Sequence, residues 1–130
     1  MITVLIADDH DIVREGLKQI VTETTSIVVG GEARTGEETI DLVRRGGWDV
    51  VILDLNLPDR PGLDVLVQIK SIAPSLPVLI LSMQQHPSYA MHALRAGALG
   101  YVSKNNAREH LVTAIGKVAR GEWFLTPAIA

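Results

Sequence analysis

Three short apolar runs constrain the fold of this chain more than any other feature of its sequence. They span Ile2–Ala7, Val50–Leu53 and Val78–Leu81, and none of them alternates apolar with polar residues. Unalternated runs rich in valine, isoleucine and leucine are typical of strands buried on both faces, as in a parallel sheet. Two weaker strands are predicted at Ile27–Ala33 and Ala98–Val102. The sequence therefore predicts a parallel sheet covered by helices.

Apolar residues at helical spacing fill the segments between these runs. In chain order, the five helices are marked by Val13, Leu17, Ile20 and Val21; Ile40 and Val43; Leu63, Leu66, Val67 and Lys70; Ala90, Ala93, Leu94 and Gly97; and Leu111, Ala114, Ile115 and Val118. Gly46-Gly47, Pro74 and Gly121 end the second, third and fifth helices. This alternation predicts an α/β fold, a doubly wound five-stranded parallel sheet with five helices. Periodicity alone leaves the strand order open.

The fourth helix differs from the others because its apolar face consists mainly of alanine and glycine. Ala90, Ala93 and Gly97 offer little apolar area, whereas the other helices present leucine, isoleucine or valine. We therefore predict that this helix docks less tightly than its neighbours and is a part of the fold that moves.

The length and composition of the chain are those of one globular domain that folds without disulfide bonds. The chain has 130 residues, of which 47% are hydrophobic, and a formal net charge of −3. The absence of cysteine excludes disulfide scaffolds and thiolate zinc sites. No apolar run approaches the roughly 20 residues of a membrane span, and the first residues lack the pattern of a signal peptide. We expect a cytoplasmic protein with no membrane partner, whose acidic balance disfavours direct binding of nucleic acid by this segment.

Polar side chains follow four of the five predicted strands at the point where each strand ends. These residues are Asp8, Asp9 and His10 after the first strand, Asp54 and Asn56 after the third, Ser82 after the fourth, and Ser103 and Lys104 after the fifth. The carboxyl ends of parallel strands share one edge of the sheet, where α/β folds bind their ligands. We therefore expect three carboxylates, a hydroxyl and an ammonium group to converge there.

The chemistry of this set favours a magnesium ion and a phosphoryl group. Clustered carboxylates resist joint ionisation unless a cation lies between them, and oxygen ligands without cysteine suit Mg²⁺. A lysine and a hydroxyl suit phosphoryl oxygens, because phosphoryl transfer needs mainly positioning and charge neutralisation. Each residue alone has a commoner interpretation: Asp8 and Asp9 as helix caps, Asp54 and Ser82 as turn residues, and Lys104 as a solvated lysine. The combination at four strand ends favours the functional interpretation.

The sequence resembles the response-regulator receiver family over essentially its full length. The matching segments are VLIADDH (residues 4–10), VILDLNLP (51–58), ILS (80–82) and GALGYVSK (97–104). Each segment is weak alone, and the set is specific. The resemblance implies a flavodoxin-like receiver fold with strand order 2-1-3-4-5. It also implies a phosphorylation-activated switch rather than an enzyme, with self-phosphorylation from a donor and autodephosphorylation as its only reactions.

The resemblance also assigns roles around one acceptor. Asp54 would be the phospho-acceptor, and a sensor histidine kinase would supply the phosphoryl group. Asp9 and Asp54 would bind Mg²⁺ through their side chains, Asn56 through its backbone carbonyl, and Asp8 through water. Lys104 would pair with the phosphoryl group.

A second group of residues is expected to sense or modulate the phosphoryl group. Ser82 would contact the phosphoryl oxygens and move toward them, after which Tyr101, the aromatic switch residue, turns inward. The surface of helix 4, strand 5 and helix 5 would then change shape. Met83, Gln84 and Asn56 flank the pocket and are expected to modulate access, with Met83 crowding the approach to Asp54. We therefore expect small phosphodonors to react slowly.

The residue patterns of three segments are similar to those of the NarL/FixJ subfamily. They are ADDH (residues 7–10), GYVSK (100–104) and GEWFLTP (121–127). We expect a receiver domain over residues 1–121, with 122–130 beginning a linker to an output domain absent from this chain, and favour a truncated piece over a stand-alone receiver. In the full-length protein the output would be transcription control by a DNA-binding domain. Phosphorylation would control a homodimer, formed either by helices 1 and 5 or by helix 4, strand 5 and helix 5.

Three other protein classes share some of these sequence features. A degenerate receiver would be an interaction module that works without phosphate, but none of the key polar residues is missing. An aspartate-nucleophile phosphatase usually has a second acid where Asn56 stands, together with a cap domain. A dinucleotide-binding domain needs a glycine-rich turn after the first strand, where this chain has two aspartates. The four histidines are interpreted as surface or helix residues, with His10 the one nearest the site: His10, His86, His92 and His110.

Overall fold

A computed structural model describes residues 1–83 and 87–126 of the chain. The strands are β1 (Ile2–Ala7), β2 (Ile27–Ala33), β3 (Val50–Asp54), β4 (Val78–Ser82), β5 (Gly100–Ser103) and β6 (Phe124–Leu125). The helices are α1 (Asp11–Thr22), α2 (Gly36–Arg45), α3 (Gly62–Ile72), α4 (Pro87–Arg95) and α5 (Ala107–Ala119). The five predicted strands and five predicted helices are thereby confirmed. No helix within the described ranges is both long and apolar enough to cross a membrane.

The sheet is parallel throughout, and its strands lie in the order β2-β1-β3-β4-β5-β6. The order 2-1-3-4-5 implied by the family resemblance is therefore confirmed. The winding reverses at β1, since β2 lies on one side of it and β3 on the other. In open α/β sheets, a crevice for ligands opens at the carboxyl ends of the strands beside this reversal.

The central strands are hydrophobic on both faces because helices cover both faces. Leu5, Leu53 and Ile80 are fully buried in the layer beneath α2, α3 and α4. Their neighbours Ile52 and Leu79 point to the opposite layer, beneath α1 and α5. The unalternated runs of the sequence are explained by these two cores.

The apolar contact of α4 is as thin as its sequence predicts. Its buried residues are Ala90 and Ala93, whereas α5 buries Leu111, Ile115 and Val118. Because alanine contributes less buried apolar area than leucine or isoleucine, α4 is held to the sheet by the weaker contact.

The short strand β6 was not predicted from the sequence. It pairs with β5 in the register Gly100–Phe124 and Tyr101–Leu125, and the Thr126 amide donates to the Tyr101 carbonyl at 3.2 Å. Gly100 allows this approach, since a Cβ there would lie 3.2 Å from the Phe124 carbonyl oxygen and 2.5 Å from Leu79 Cδ1. Two residues of the predicted linker, Phe124 and Leu125, therefore form the sixth strand of the sheet.

Candidate functional site

The strand register brings the predicted site residues to one edge of the sheet. Ala7 pairs with Leu53, so Asp8 and Asp54 follow at the same level of adjacent strands. Ser82 ends β4 and pairs with Ser103, the last residue of β5. Each polar residue thus occupies the position at which its buried strand ends.

Asp54 lies at the centre of this edge and is 1% exposed. Its Oδ1 accepts a hydrogen bond from the Asn56 amide at 3.1 Å, and its Oδ2 lies 3.1 Å from Lys104 Nζ. Burial raises the pKa of Asp54, the Asn56 N–H partly opposes this, and the neighbouring charge of Asp8 adds to it. The fold thus holds a carboxylate where its charge is costly, and Lys104 offsets only part of the cost.

Lys104 joins two of the carboxylates. Its Nζ lies 2.9 Å from Asp8 Oδ2 and 3.1 Å from Asp54 Oδ2. Burial favours the neutral amine, but the close ion pair with Asp8 and the charge of Asp54 outweigh it and raise the pKa of Lys104. Lys104 is therefore a fixed positive charge beside the central carboxylate.

The loop after β1 supplies the other acids. Asp8 Oδ1 accepts a hydrogen bond from the His10 amide at 2.8 Å and lies 3.0 Å from His10 Nδ1. His10 is the first residue flanking α1, but its side chain does not cap the helix. Asp8 and Asp9 therefore do not serve as the helix caps of the commoner interpretation, and the loop leaves Asp9 at the mouth of the site.

This loop and β3 together form a group suited to a cation. Ligand atoms of Asp8, Asp9, His10 and Asp54 all lie within 4.8 Å of one another. Asp9 Oδ1 is buried without a hydrogen-bond partner in the described part of the chain, and His10 Nδ1 lies 3.2 Å from it without good alignment. Unsatisfied carboxylate oxygens fit a hard cation such as Mg²⁺, as expected from the sequence. From the sequence, His10 is expected to lie near the site but not to be a metal ligand.

The two predicted switch residues contact each other. Ser82 and Tyr101 are both fully buried, and their side chains share a hydrogen bond. Tyr101 lies in the layer beneath α2, α3 and α4, with Ala90 and Ala93 of α4 in the same cluster. Burial raises the pKa of Tyr101. The aromatic ring is therefore already turned inward in this structure, whereas from the sequence that position is expected to follow the movement of Ser82 toward a phosphoryl group.

Two of the residues expected to modulate access, Met83 and Asn56, line different depressions of the surface. Met83 is 54% exposed and lines a groove between α1 and α5 together with Lys104. Asn56 is exposed and lines, with Asp9, an open cavity of about 460 Å³. Gln84 lies outside the residues that the structure describes.

Sequence reasoning missed one side chain of the site, that of Arg14. It is 5% exposed, and its Nη1 donates to the Asp8 backbone carbonyl at 2.6 Å. The signal that identifies it is spacing, because Arg14, Leu17 and Val21 fall at i, i+3 and i+7 on the buried face of α1.

The fold and this site agree with the result of a comparison with known families. Residues 4–116 match the family described as the response regulator receiver domain. The chain belongs to the response regulator receiver family. Domains of this family bind Mg²⁺ at an acidic pocket and take part in two-component signalling.

Within the family, the chain resembles transcriptional response regulators of the NarL/FixJ type. It is 35% identical over 127 residues to the nitrate/nitrite response regulator protein NarL of Escherichia coli, covering 98% of this chain and 59% of that protein. It is 33% identical over 130 residues to the response regulator UvrY of Escherichia coli, covering 100% of this chain and 60% of UvrY. The chain thus spans about three-fifths of the length of these curated relatives.

Solved structures show the same architecture. A response regulator of the LuxR family from Aurantimonas superposes with a TM-score of 0.93 at 33% identity, covering 98% of this chain and 91% of that one. The isolated receiver domain of RcsB from Salmonella enterica, with the phosphomimetic BeF₃⁻, has a TM-score of 0.91 at 27% identity, covering 98% and 95% of the two chains. The flavodoxin-like receiver fold is therefore shared with these proteins.

Proposed function

We propose that this chain accepts a phosphoryl group on Asp54 from a phosphohistidine of a sensor kinase and acts as a Mg²⁺-dependent switch. The observation that carries the proposal is the burial of Asp54 beside Asp8, with Lys104 contacting both carboxylates and only partly neutralising their charge. An incoming phosphoryl group and a divalent cation are suited to such a position, because positioning and charge neutralisation are what phosphoryl transfer requires.

Each residue of the site would have its own role in the transfer of the phosphoryl group. Asp9 and Asp54 would hold Mg²⁺ through side-chain oxygens, Asn56 through its backbone carbonyl, and Asp8 through water. The ion would neutralise charge on the phosphoryl oxygens. An oxygen of Asp54 forms the new bond to phosphorus while the phosphorus–nitrogen bond of the donor breaks, and the histidine nitrogen leaves with the bonding electrons and takes up a proton. Lys104 pairs with a phosphoryl oxygen after the transfer.

The switch follows from the contact between Ser82 and Tyr101. A phosphoryl group adds about −1.5 to −2 charge and three acceptor oxygens. Ser82 would donate to one of these oxygens, which changes its hydrogen bond with Tyr101. Because α4 contributes only Ala90 and Ala93 to the core around Tyr101, the face of α4, β5 and α5 would adjust at low cost.

The output is proposed from the similar proteins. NarL is named a response regulator, and RcsB has been solved as a response regulator–DNA complex that matches 98% of this chain. In a full-length protein of this type, phosphorylation would control a homodimer and transcription through a DNA-binding domain outside this chain. The dimer face remains either α1 with α5, or α4, β5 and α5. The chain itself would not turn over a substrate.

A test with beryllofluoride separates the proposal from a phosphate-independent interaction module. Added with Mg²⁺, the probe should shift the amide resonances of Asp54, Ser82 and Tyr101, and removal of Mg²⁺ should abolish the shifts. Asp54→Asn is the variant that should not respond, and Asp41→Asn, an exposed carboxylate on α2, is the matched control that should. A wild-type spectrum unchanged by beryllofluoride and Mg²⁺ would contradict the proposal.

A further inference from the structure

Arg14 is a buried charge on the face of α1 that packs against the sheet. It is 5% exposed, and its neighbours on that face are Leu17 and Val21. An arginine in a leucine position loses hydration that apolar packing does not replace, so each of its donors needs a partner. The partners of its guanidinium therefore indicate what the residue is for.

Those partners connect the acidic loop to β2. Nη1 donates to the Asp8 carbonyl at 2.6 Å, and Nε donates to Glu32 Oε1 at 3.0 Å. Nη2 forms an ion pair with Asp11. Burial disfavours the charge of Arg14, but the hydrogen bonds that Arg14 donates to Asp11 and Glu32 outweigh it and raise the pKa of Arg14. The guanidinium remains a charged bridge between three elements.

The group held at the centre of this bridge is the peptide between Asp8 and Asp9. The Asp8 carbonyl and the Asp9 amide belong to one rigid plane, so fixing the carbonyl also fixes the Cα of Asp9. The Asp8 amide donates to the Ala33 carbonyl at 3.0 Å. The backbone on both sides of Asp8 is thus tied to β2, whereas Asp9 Oδ1 has no hydrogen bond of its own within the described residues.

We infer that Arg14 is a positioning residue that sets the Mg²⁺ affinity of the site by orienting Asp9 through the Asp8–Asp9 peptide. The inference rests on the proposed function, since it assumes that Asp9 holds the ion. Partners that orient metal ligands typically contribute about 10–100-fold to metal affinity. A residue that only anchored α1 to β2 would affect stability and leave the affinity for Mg²⁺ unchanged.

The chain offers a matched control for the anchoring role. Lys18, one turn further along α1, places Nζ 3.1 Å from Glu32 Oε2 and 2.7 Å from Glu15. It contacts the same residue of β2 as Arg14, but no contact joins it to Asp8 in the described part of the chain. Lys18→Met therefore removes an α1–β2 ion pair without loosening the acidic loop.

The experiment titrates the full chain with Mg²⁺ alone, by calorimetry and by the amide resonances of Asp8 and Asp9. Arg14→Met should raise the Kd for Mg²⁺ by about 10-fold or more. Arg14→Lys keeps the positive charge but loses the planar set of N–H donors of the guanidinium. Its Kd for Mg²⁺ should lie between those of Arg14→Met and wild type. Lys18→Met should bind as wild type does. The phosphorylation rate at saturating Mg²⁺ should fall less than the affinity.

Arg14→Lys keeps the test decisive if Arg14→Met does not fold. Wild-type affinity in a folded Arg14→Lys or Arg14→Met protein would overturn the inference, as would an equal loss of affinity in Lys18→Met. These outcomes leave the proposed function standing, since wild type would still bind Mg²⁺ and respond to beryllofluoride. A wild-type chain that binds no Mg²⁺ would overturn both.

Discussion

The position of Asp54 suits the proposed site but lowers the stability of the folded protein. Its pKa is raised chiefly by burial and further by the charge of Asp8. A carboxyl group whose pKa is raised in the folded state contributes stability below its unfolded pKa, and that contribution is lost as the pH rises through the folded pKa. At neutral pH, which lies above the ordinary pKa of aspartate, the raised pKa of Asp54 therefore makes the folded protein less stable in the absence of a cation.

We predict that Asp54→Asn increases the free energy of unfolding at neutral pH without Mg²⁺, by roughly 1 kcal/mol, a size typical of single substitutions. The gain should shrink as the pH falls toward the ordinary pKa of aspartate, because wild-type Asp54 is then protonated in both states. Urea unfolding across this pH range measures the difference, with Asp41→Asn as the exposed control. A wild-type protein more stable than Asp54→Asn at neutral pH would contradict this account of Asp54.

Met83 allows a second test at the same scale. Its side chain is 54% exposed and lines a groove together with Lys104, and the hypothesis is that it crowds the approach to Asp54. Met83→Ala should accelerate phosphorylation by acetyl phosphate severalfold, because it widens the approach without touching the acidic residues. Met91→Ala, on the exposed face of α4, is the control that should leave the rate unchanged. The crowding hypothesis fails if Met83→Ala reacts at the wild-type rate.

At this scale, the sequence predicts best the residues that end a buried strand. Asp54 and Ser82 are predictable because each terminates an apolar run, and the register of a parallel sheet brings such ends together. Arg14 was missed because one charged residue within an amphipathic helix is ordinarily solvated. Only the packing of α1 against the sheet shows that its guanidinium lies beneath the acidic loop.

Among the elements, the turn from β3 into α3 illustrates a constraint that a side-chain pattern does not encode. The Gly62 amide donates to the Leu55 carbonyl at 2.8 Å, closing the loop that carries Asn56. A Cβ on Gly62 would lie 2.4 Å from the Cα of Leu55, and backbone atoms cannot yield as a flexible side chain does. The glycine therefore permits a close approach that holds the loop beside Asp54.

We predict opposite effects for two glycine-to-alanine substitutions. Gly62→Ala should destabilise the protein by about 3 kcal/mol, the upper range for overpacking. Gly16→Ala, in α1 with no atom within 4 Å of the added Cβ, should stabilise it by roughly 0.5–1 kcal/mol through helix propensity. Thermal unfolding measures both. A Gly62→Ala protein as stable as wild type would show that the β3–α3 turn is looser than these distances indicate.

The elements themselves were predictable to different degrees. β1, β3 and β4 were evident because burial on both faces leaves an unmistakable apolar run. β6 has only two residues, Phe124 and Leu125, and a segment this short has no period to detect. β6 can form only because Gly100 has no side chain to block its approach to the edge of β5, and this is a property of the folded sheet.

At the scale of the whole molecule, the proposed phosphorylation site and the switch residue Tyr101 lie in different parts of the same sheet. The acidic loop and Asp54 lie at the reversal between β1 and β3, whereas Tyr101 lies on β5, paired with Leu125 of β6. Ser82 on β4 is the residue between them, since it ends the strand next to Asp54 and hydrogen-bonds Tyr101. A phosphoryl group on Asp54 would therefore be sensed across three neighbouring strands.

The most direct test of the account is to locate the phosphoryl group. The full chain, incubated with Mg²⁺ and acetyl phosphate or a phosphorylated sensor kinase, should take up one phosphoryl group per chain, and peptide mass spectrometry should place it on Asp54. Chelation of Mg²⁺ should abolish the uptake, and Asp54→Asn should fold normally and remain unlabelled. Stoichiometric labelling of Asp54→Asn, or a phosphoryl group found on another residue of the wild-type chain, would contradict the central claim.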